Sequence, residues 1–168
     1  MTLQDYLSVC QQKGYIAPSI CLVTYNLLWR FPESKLIPFL RRHGISVAAA
    51  SPLAGGLLTG RFAPEQVGAA SRPDAERYRM YDRPCFHAAT ADLVALVSPH
   101  GMSPAEASLR WLCWHSRLGG RDEVVFGAKT GEQLRENVEA VERGPLPQEL
   151  VDEIERIWEA VRDGIRQR

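Results

Sequence analysis

Three short, strongly apolar segments alternate with amphipathic stretches along the chain, and this alternation limits the fold more than any other feature. The apolar segments cover residues 16–25 (IAPSICLVTY), 45–50 (ISVAAA) and 124–126 (VVF). They are too short for core helices, and the first two have the composition of strands buried on both faces. Strands that alternate with helices favour a parallel sheet with helical crossovers. The pattern therefore predicts an α/β fold.

The stretches between these strands carry the apolar spacing of amphipathic helices. Ser103 before Pro104 is a typical helix start, and Gly14 and Gly44 follow stretches in the way that glycine ends helices. The last helix should bury one stripe that includes Ile154 and Trp158. The predicted helices cover residues 3–13, 32–44, 86–97, 104–115, 131–143 and 147–162.

The predicted sheet is incomplete. The 168 residues suit one domain, residues 1–168, but only three strands are evident in them. Parallel strands need cover on both faces and neighbours at each edge. Exposed sheet edges and apolar faces predict self-association, and a homodimer is the simplest closed assembly.

Composition excludes several classes of partner. Twenty Lys and Arg balance twenty Asp and Glu, so the formal net charge is zero, which argues against binding to nucleic acid. No apolar run approaches the roughly 20 residues that span a bilayer, and no leader pattern opens the chain, so a cytoplasmic protein without membrane contact is expected. The four cysteines are scattered and predict no metal site.

Two glycine-containing turns follow predicted strands. In residues 51–60 (SPLAGGLLTG) the glycines allow the backbone to follow a pyrophosphate closely, with Ser51 and Arg61 as a hydroxyl and a cation beside it. Residues 127–130 (GAKT) precede a helix, whose amide groups and dipole would face an anion. From the residues alone, a tight turn and an exposed capped helix are the alternative interpretations.

A second set of residues offers acid–base and ligand-binding groups. Residues 25–30 follow the first strand, at the strand ends where barrel enzymes carry their sites, and residues 78–87 form a cluster of phenols, charges and an imidazole. A solvated loop with ion pairs is the alternative. The candidate catalytic residues are Tyr25, Tyr78, Asp82 and His87, and the candidate substrate-binding residues are Asn26, Trp29, Arg30 and Arg79.

Taken in order, these motifs resemble the aldo-keto reductases, nearest to the subgroup of aflatoxin-aldehyde reductases and potassium-channel β subunits. The likeness is carried by residues 25–28 (YNLL), 51–60, 78–79 (YR), 109–112 (LRWL), 127–130, 132–133 (EQ) and 136–137 (EN). It covers nearly the whole chain but only the C-terminal half of that family's (β/α)8 barrel. The implied fold is a truncated barrel of about three parallel strands with surrounding helices.

The resemblance implies a site for NADP(H), retained at its adenosine and phosphate end. The family's catalytic Asp, Tyr, Lys and His lie upstream of the matched segments, so no residue here falls on them. Leu22 stands where the family commonly has a glutamine that contacts the nicotinamide, and Ala50 where it has a stacked aromatic residue. The pyrophosphate positions are Ser51, Pro52, Leu53, Gly55 and Arg61, and the adenosine positions are Lys129, Thr130, Gln133, Glu136 and Asn137.

Two functions follow from this combination. The first is a non-redox enzyme of the isomerase, cyclase or dehydratase type, which acts on a small organic intermediate such as a natural-product precursor. The alternative is an NADP(H)-binding module, or a reductase-derived subunit, that acts with a partner. A decayed fragment without activity is a third hypothesis.

Overall fold

The computed structural model describes residues 2–60 and 80–166, which contain one parallel sheet of three strands. The strands lie side by side in chain order, and both pairings are parallel. This confirms the predicted α/β class and agrees with part of a (β/α)8 barrel. The strands are β1 (Ile20–Thr24), β2 (Ser46–Ala50) and β3 (Glu123–Val125).

The helices begin and end largely where the sequence predicts. Thr2 forms a capping box with Asp5, Gly14 ends the first helix in the left-handed conformation, and Ser103 caps the helix that begins at Pro104. In the described ranges the α-helices are α1 (Leu3–Lys13), α2 (Leu36–Arg42), α3 (Pro84–Val97), α4 (Pro104–Trp114), α5 (Gly131–Glu142) and α6 (Gln148–Arg166). Short 3-10 segments cover Phe31–Glu33, Ala54–Thr59 and Ser98–His100.

The predicted helix over residues 32–44 is wrong in its first part. A 3-10 turn (Phe31–Glu33) comes first, and α2 begins only at Leu36. Pro38 explains the break, because a proline is tolerated in the first turn of a helix, whereas in a helix that began at residue 32 it would lie in the interior.

The prediction that β1 is buried on both faces is also wrong. The strand begins at Ile20 rather than residue 16, and the side chain of Leu22 is 67% exposed. Within the described residues, β1 and β3 each pair with β2 alone, so both are edge strands. Of the three strands only β2 is buried along its centre. The residues of β1 are therefore as apolar as those of a strand inside a sheet, although the strand is exposed as edge strands are.

The hydrophobic core lies between the sheet and helices α2, α3, α4 and α6. The predicted stripe of α6 is buried, including Ile154 and Trp158. Helices α3 and α6 approach closely at Gly164, where an added Cβ would lie 2.8 Å from the Cβ of Cys85. A glycine is required there because any side chain would separate the two helices.

Within residues 2–60 and 80–166, none of the helices is both long enough and apolar enough to cross a membrane.

Candidate functional site

The two turns predicted to bind phosphate follow adjacent strands. Ala50, the last residue of β2, pairs with Thr24 on β1 and with Val125 on β3. Because the strands are parallel, their carboxyl ends lie at the same edge of the sheet. The segments that leave this edge begin at Tyr25, at Ser51 and at residue 126, so residues 51–60 and 127–130 both follow strands that end at this edge.

The backbone of residues 51–60 reverses direction repeatedly. Ser51 and Ala54 have positive φ angles of 56° and 51°, although neither is a glycine, and Gly55 and Gly56 continue at 66° and 101°. Leu53, at φ −104° and ψ 20°, is followed directly by the left-handed Ala54. Such a change from right- to left-handed backbone is the pattern of an anion-binding concavity. Within the turn, the amide of Ala54 donates to the carbonyl of Ser51 and that of Gly56 to the carbonyl of Leu53. Pro52 is buried beneath this turn, and Arg61 lies outside the described residues.

Helix α5 begins at the second turn with a complete cap. The hydroxyl of Thr130 accepts a hydrogen bond from the amide of Gln133 at 3.2 Å, and Gln133 Oε1 accepts one from the amide of Lys129 at 3.0 Å. Lys129 and Thr130 are exposed, whereas Asn137 is half-buried and Glu136 is exposed one turn further along. The cation and the positive end of the helix dipole are therefore both available to an anion at this end of α5.

Asn26, predicted to bind substrate, is fully buried at the exit of β1. Its Nδ2 donates to the carbonyl oxygen of Ser51 and to the hydroxyl of Tyr81, each at 2.9 Å. Its Oδ1 accepts a hydrogen bond from the amide of Leu28 at 3.0 Å. The carboxamide thus contacts the 51–60 turn directly. Tyr81 was not among the predicted site residues.

Tyr25, predicted to be catalytic, is also fully buried. Its hydroxyl donates to Glu33 Oε1 at 2.6 Å and accepts from the amide of Arg117 at 2.9 Å. Burial disfavours the phenolate and raises the pKa of Tyr25 well above its usual value, and the neighbouring Glu33 carboxylate acts in the same direction. These contacts favour a structural role for Tyr25.

Arg30, predicted to bind substrate, forms a buried ionic cluster. Its side chain is 9% exposed, Nε lies 2.8 Å from Glu33 Oε1, and Nη1 lies 2.7 Å from Glu155 Oε1 on α6. The guanidinium also lies over the ring of Trp111, 4.6 Å from its centroid. With its donors directed at two carboxylates, Arg30 links the exit of β1 to α4 and α6.

The remaining predicted residues fall into three groups. Asp82 and His87 are brought together at the start of α3, with Nε2 of the imidazole 3.0 Å from Oδ1 of the carboxylate. Trp29 packs its ring against Phe31 and Tyr81. Tyr78 and Arg79 lie outside the described residues.

Two grooves lie away from the strand ends. One, of about 580 Å³, is lined by Leu3 of α1 and Phe39 of α2, and the other, of about 260 Å³, by Asp92 of α3 and Ile157 of α6. Within residues 2–60 and 80–166, no group of three or more His, Cys, Asp or Glu side chains is placed to hold a metal ion.

Comparison with known proteins gives a match over most of the chain. The model of the aldo/keto reductase family matches residues 2–159. An aldo-keto reductase of Pseudocercospora fijiensis is 38% identical over an alignment of 165 positions that covers 92% of this chain and 55% of the relative. The oxidoreductase sirO of Leptosphaeria maculans is 37% identical, over 96% of this chain and 51% of its own length. Aflatoxin B1 aldehyde reductase member 2 of Homo sapiens is 35% identical, over 94% of this chain and 48% of its own length. The chain thus spans about half the length of these relatives.

Proposed function

The chain belongs to the aldo/keto reductase family, and on that premise we propose that its two strand-end turns bind the pyrophosphate and the adenosine end of NADP(H). The family match and the human relative confirm the resemblance predicted from the motifs. One observation carries the proposal. The change of backbone hand at residues 51–60 and the capped start of α5 follow neighbouring strands, so two anion-binding elements face one edge of the sheet.

The side chains present fit this ligand at its phosphate end. Ser51 and the 51–60 backbone would hold the pyrophosphate, and the exposed Lys129 with Thr130 would hold a 2′-phosphate. A bound NADPH would supply a hydride, whereas this chain supplies the binding surface. At the nicotinamide end Leu22 and Ala50 offer neither an amide nor an aromatic ring, so we propose that binding energy comes mainly from the adenosine and phosphate end.

We expect the chain to bind NADPH more tightly than NADH, and Lys129→Met to remove most of that preference. Loss of one charge-assisted contact should raise the dissociation constant for NADPH about tenfold and leave that for NADH nearly unchanged. Isothermal titration calorimetry with both cofactors measures this. Lys13→Met, which removes a lysine at the end of α1, is the matched control. Absence of NADPH binding at millimolar concentration would exclude the proposal.

A non-redox enzyme is the second candidate, because Asp82 and His87 form a 3.0 Å pair at the start of α3. A carboxylate that orients an imidazole is a common general acid–base arrangement. We expect such an enzyme to transform an enolisable substrate without NADPH and to lose at least a hundredfold in kcat in His87→Gln. Equal turnover by His87→Gln and the unsubstituted chain would rule this function out.

We also propose that the chain forms a homodimer through the exposed edge of β1. Ile20 and Leu22 present apolar side chains beside an edge whose backbone groups pair with no other strand of residues 2–60 and 80–166. A second copy related by a two-fold axis would cover both features at once.

Leu22→Lys is expected to weaken this association at least tenfold, because it would place a charged side chain in an apolar contact. Lysine side chains on edge strands are also a common means by which proteins prevent pairing with another chain. Sedimentation equilibrium across a micromolar concentration series measures it. Lys35→Met, an exposed change between the 3-10 turn and α2, should leave association unchanged. A monomer at all concentrations would contradict the proposal.

A further inference from the structure

We propose that Asn26 is a positioning residue for the anion-binding turn at residues 51–60, acting through its buried carboxamide together with Tyr81. The inference rests on the proposed binding of NADP(H) at this turn. It gives Asn26 an indirect role, in place of the contact with substrate that its position at a strand end predicts.

Both N–H groups and the oxygen of the Asn26 carboxamide are hydrogen-bonded. Its two N–H groups donate to the carbonyl of Ser51 and to the hydroxyl of Tyr81, and its oxygen accepts from the amide of Leu28. The side chain is fully buried, so none of these bonds competes with bulk water. One amide therefore joins the exit of β1, the exit of β2 and the segment that leads into α3.

Ser51 is the residue that most needs such support. Its φ angle of 56° is unfavourable for any residue that carries a Cβ atom. Such a conformation persists only where neighbouring groups hold it. The carbonyl of Ser51 accepts hydrogen bonds from Asn26 Nδ2 and from the amide of Ala54, both at 2.9 Å. These two bonds fix the peptide plane from which the turn begins.

Tyr81 makes the position of Asn26 rigid. It is 2% exposed, and its ring packs edge-on against Trp29 and Phe86 at centroid distances of 6.4 and 5.5 Å. Because Phe86 lies on α3, a shift of this helix would be transmitted through Tyr81 and Asn26 to the turn.

Two substitutions separate the hydrogen bond between Asn26 and Ser51 from the one between Asn26 and Tyr81. Asn26→Asp keeps an oxygen for the Leu28 amide and an acceptor for the Tyr81 hydroxyl, but it places an oxygen against the Ser51 carbonyl. Tyr81→Phe removes only the Tyr81 arm. Thr90→Val is the control, because it removes a buried hydroxyl that bonds only to Phe86 O, within α3.

The experiment is amide hydrogen exchange of the unliganded chain, followed by NADPH titration. We expect Asn26→Asp to speed exchange in residues 51–60 about tenfold relative to α6 and to raise the dissociation constant for NADPH about tenfold. Tyr81→Phe should change both by several-fold, and Thr90→Val by less than twofold.

Unchanged exchange in residues 51–60 of a folded Asn26→Asp, or an increase of the same size across the whole chain, would overturn the inference. If Asn26→Asp does not fold, Tyr81→Phe decides by the same criterion. Local opening of the turn in a chain that binds no NADPH would refute the proposed function and leave the positioning role standing.

Discussion

Arg30→Met should lower the free energy of unfolding by about 2–4 kcal/mol, less than the cost of removing one partner from a fully buried ion pair, because Glu155 is 44% exposed. Among the described residues, the substitution leaves Glu33 with the Tyr25 hydroxyl as its side-chain partner and removes the Arg30 cation from Glu155. It also removes the guanidinium from the faces of Trp111 and Trp158. Methionine fills a similar volume, so the expected loss reports mainly the uncompensated carboxylates.

Urea denaturation followed by tryptophan fluorescence measures this effect. Arg156→Met is the matched control, because the Arg156–Glu153 pair on α6 is largely exposed and should contribute less than about 1 kcal/mol. An Arg30→Met protein as stable as the control would show that the cluster is not structural. That result would favour the predicted role of Arg30 in binding a substrate.

The sequence predicts those parts of the fold that depend on local patterns. The caps at Thr2 and Ser103 and the buried stripe of α6 follow from residues within one or two turns of one another. The exposure of β1 does not follow, because an apolar strand has the same composition whether or not a neighbour covers it. Burial there depends on which elements lie beside the strand, and no local signal records that.

The candidate site divides in the same way. The 51–60 turn and the start of α5 are predictable, since glycines and the capping threonine are local signals. The structural contacts of Tyr25 and Arg30 are not predictable in this way. Their partners Arg117 and Glu155 lie 92 and 125 residues further along the chain. Tyr81 lies in the predicted cluster of residues 78–87, but its burial and its contact with Asn26 are not predictable from the sequence. An aromatic residue in a polar segment gives no local signal that distinguishes a buried side chain from a solvated one.

Asp122 joins the amino ends of β2 and β3 and should be the other large contributor to stability. Its side chain is fully buried and accepts hydrogen bonds from the amides of Val47 and Gly119, at 2.8 and 2.7 Å. Arg41 contacts both of its carboxylate oxygens. Burial alone would raise the pKa of Asp122, but the bonds from Arg41, Val47 and Gly119 outweigh burial and lower it.

Asp122→Asn is therefore expected to cost about 2–4 kcal/mol at pH 7, because an amide cannot accept all of these bonds and its N–H group meets a donor. The pKa of Asp122 is lower in the folded state, so its stabilisation is present in full above the ordinary value of about 3.9 and is lost as pH falls through the folded value. Below about pH 4 the gap in unfolding free energy between the unsubstituted chain and Asp122→Asn should begin to narrow.

Urea titrations at several pH values between 7 and 3 measure that gap. Arg41→Met separates the two sources of the effect, since it removes the partly exposed cation but keeps both backbone bonds. Because it leaves a buried carboxylate without its ion-pair partner, it should cost about 1–3 kcal/mol, less than Asp122→Asn. A gap between the unsubstituted chain and Asp122→Asn that stayed constant down to pH 3 would mean that Asp122 is not held as a carboxylate in the folded chain. The connection between β2 and β3 would then depend on their backbone pairing and on core packing.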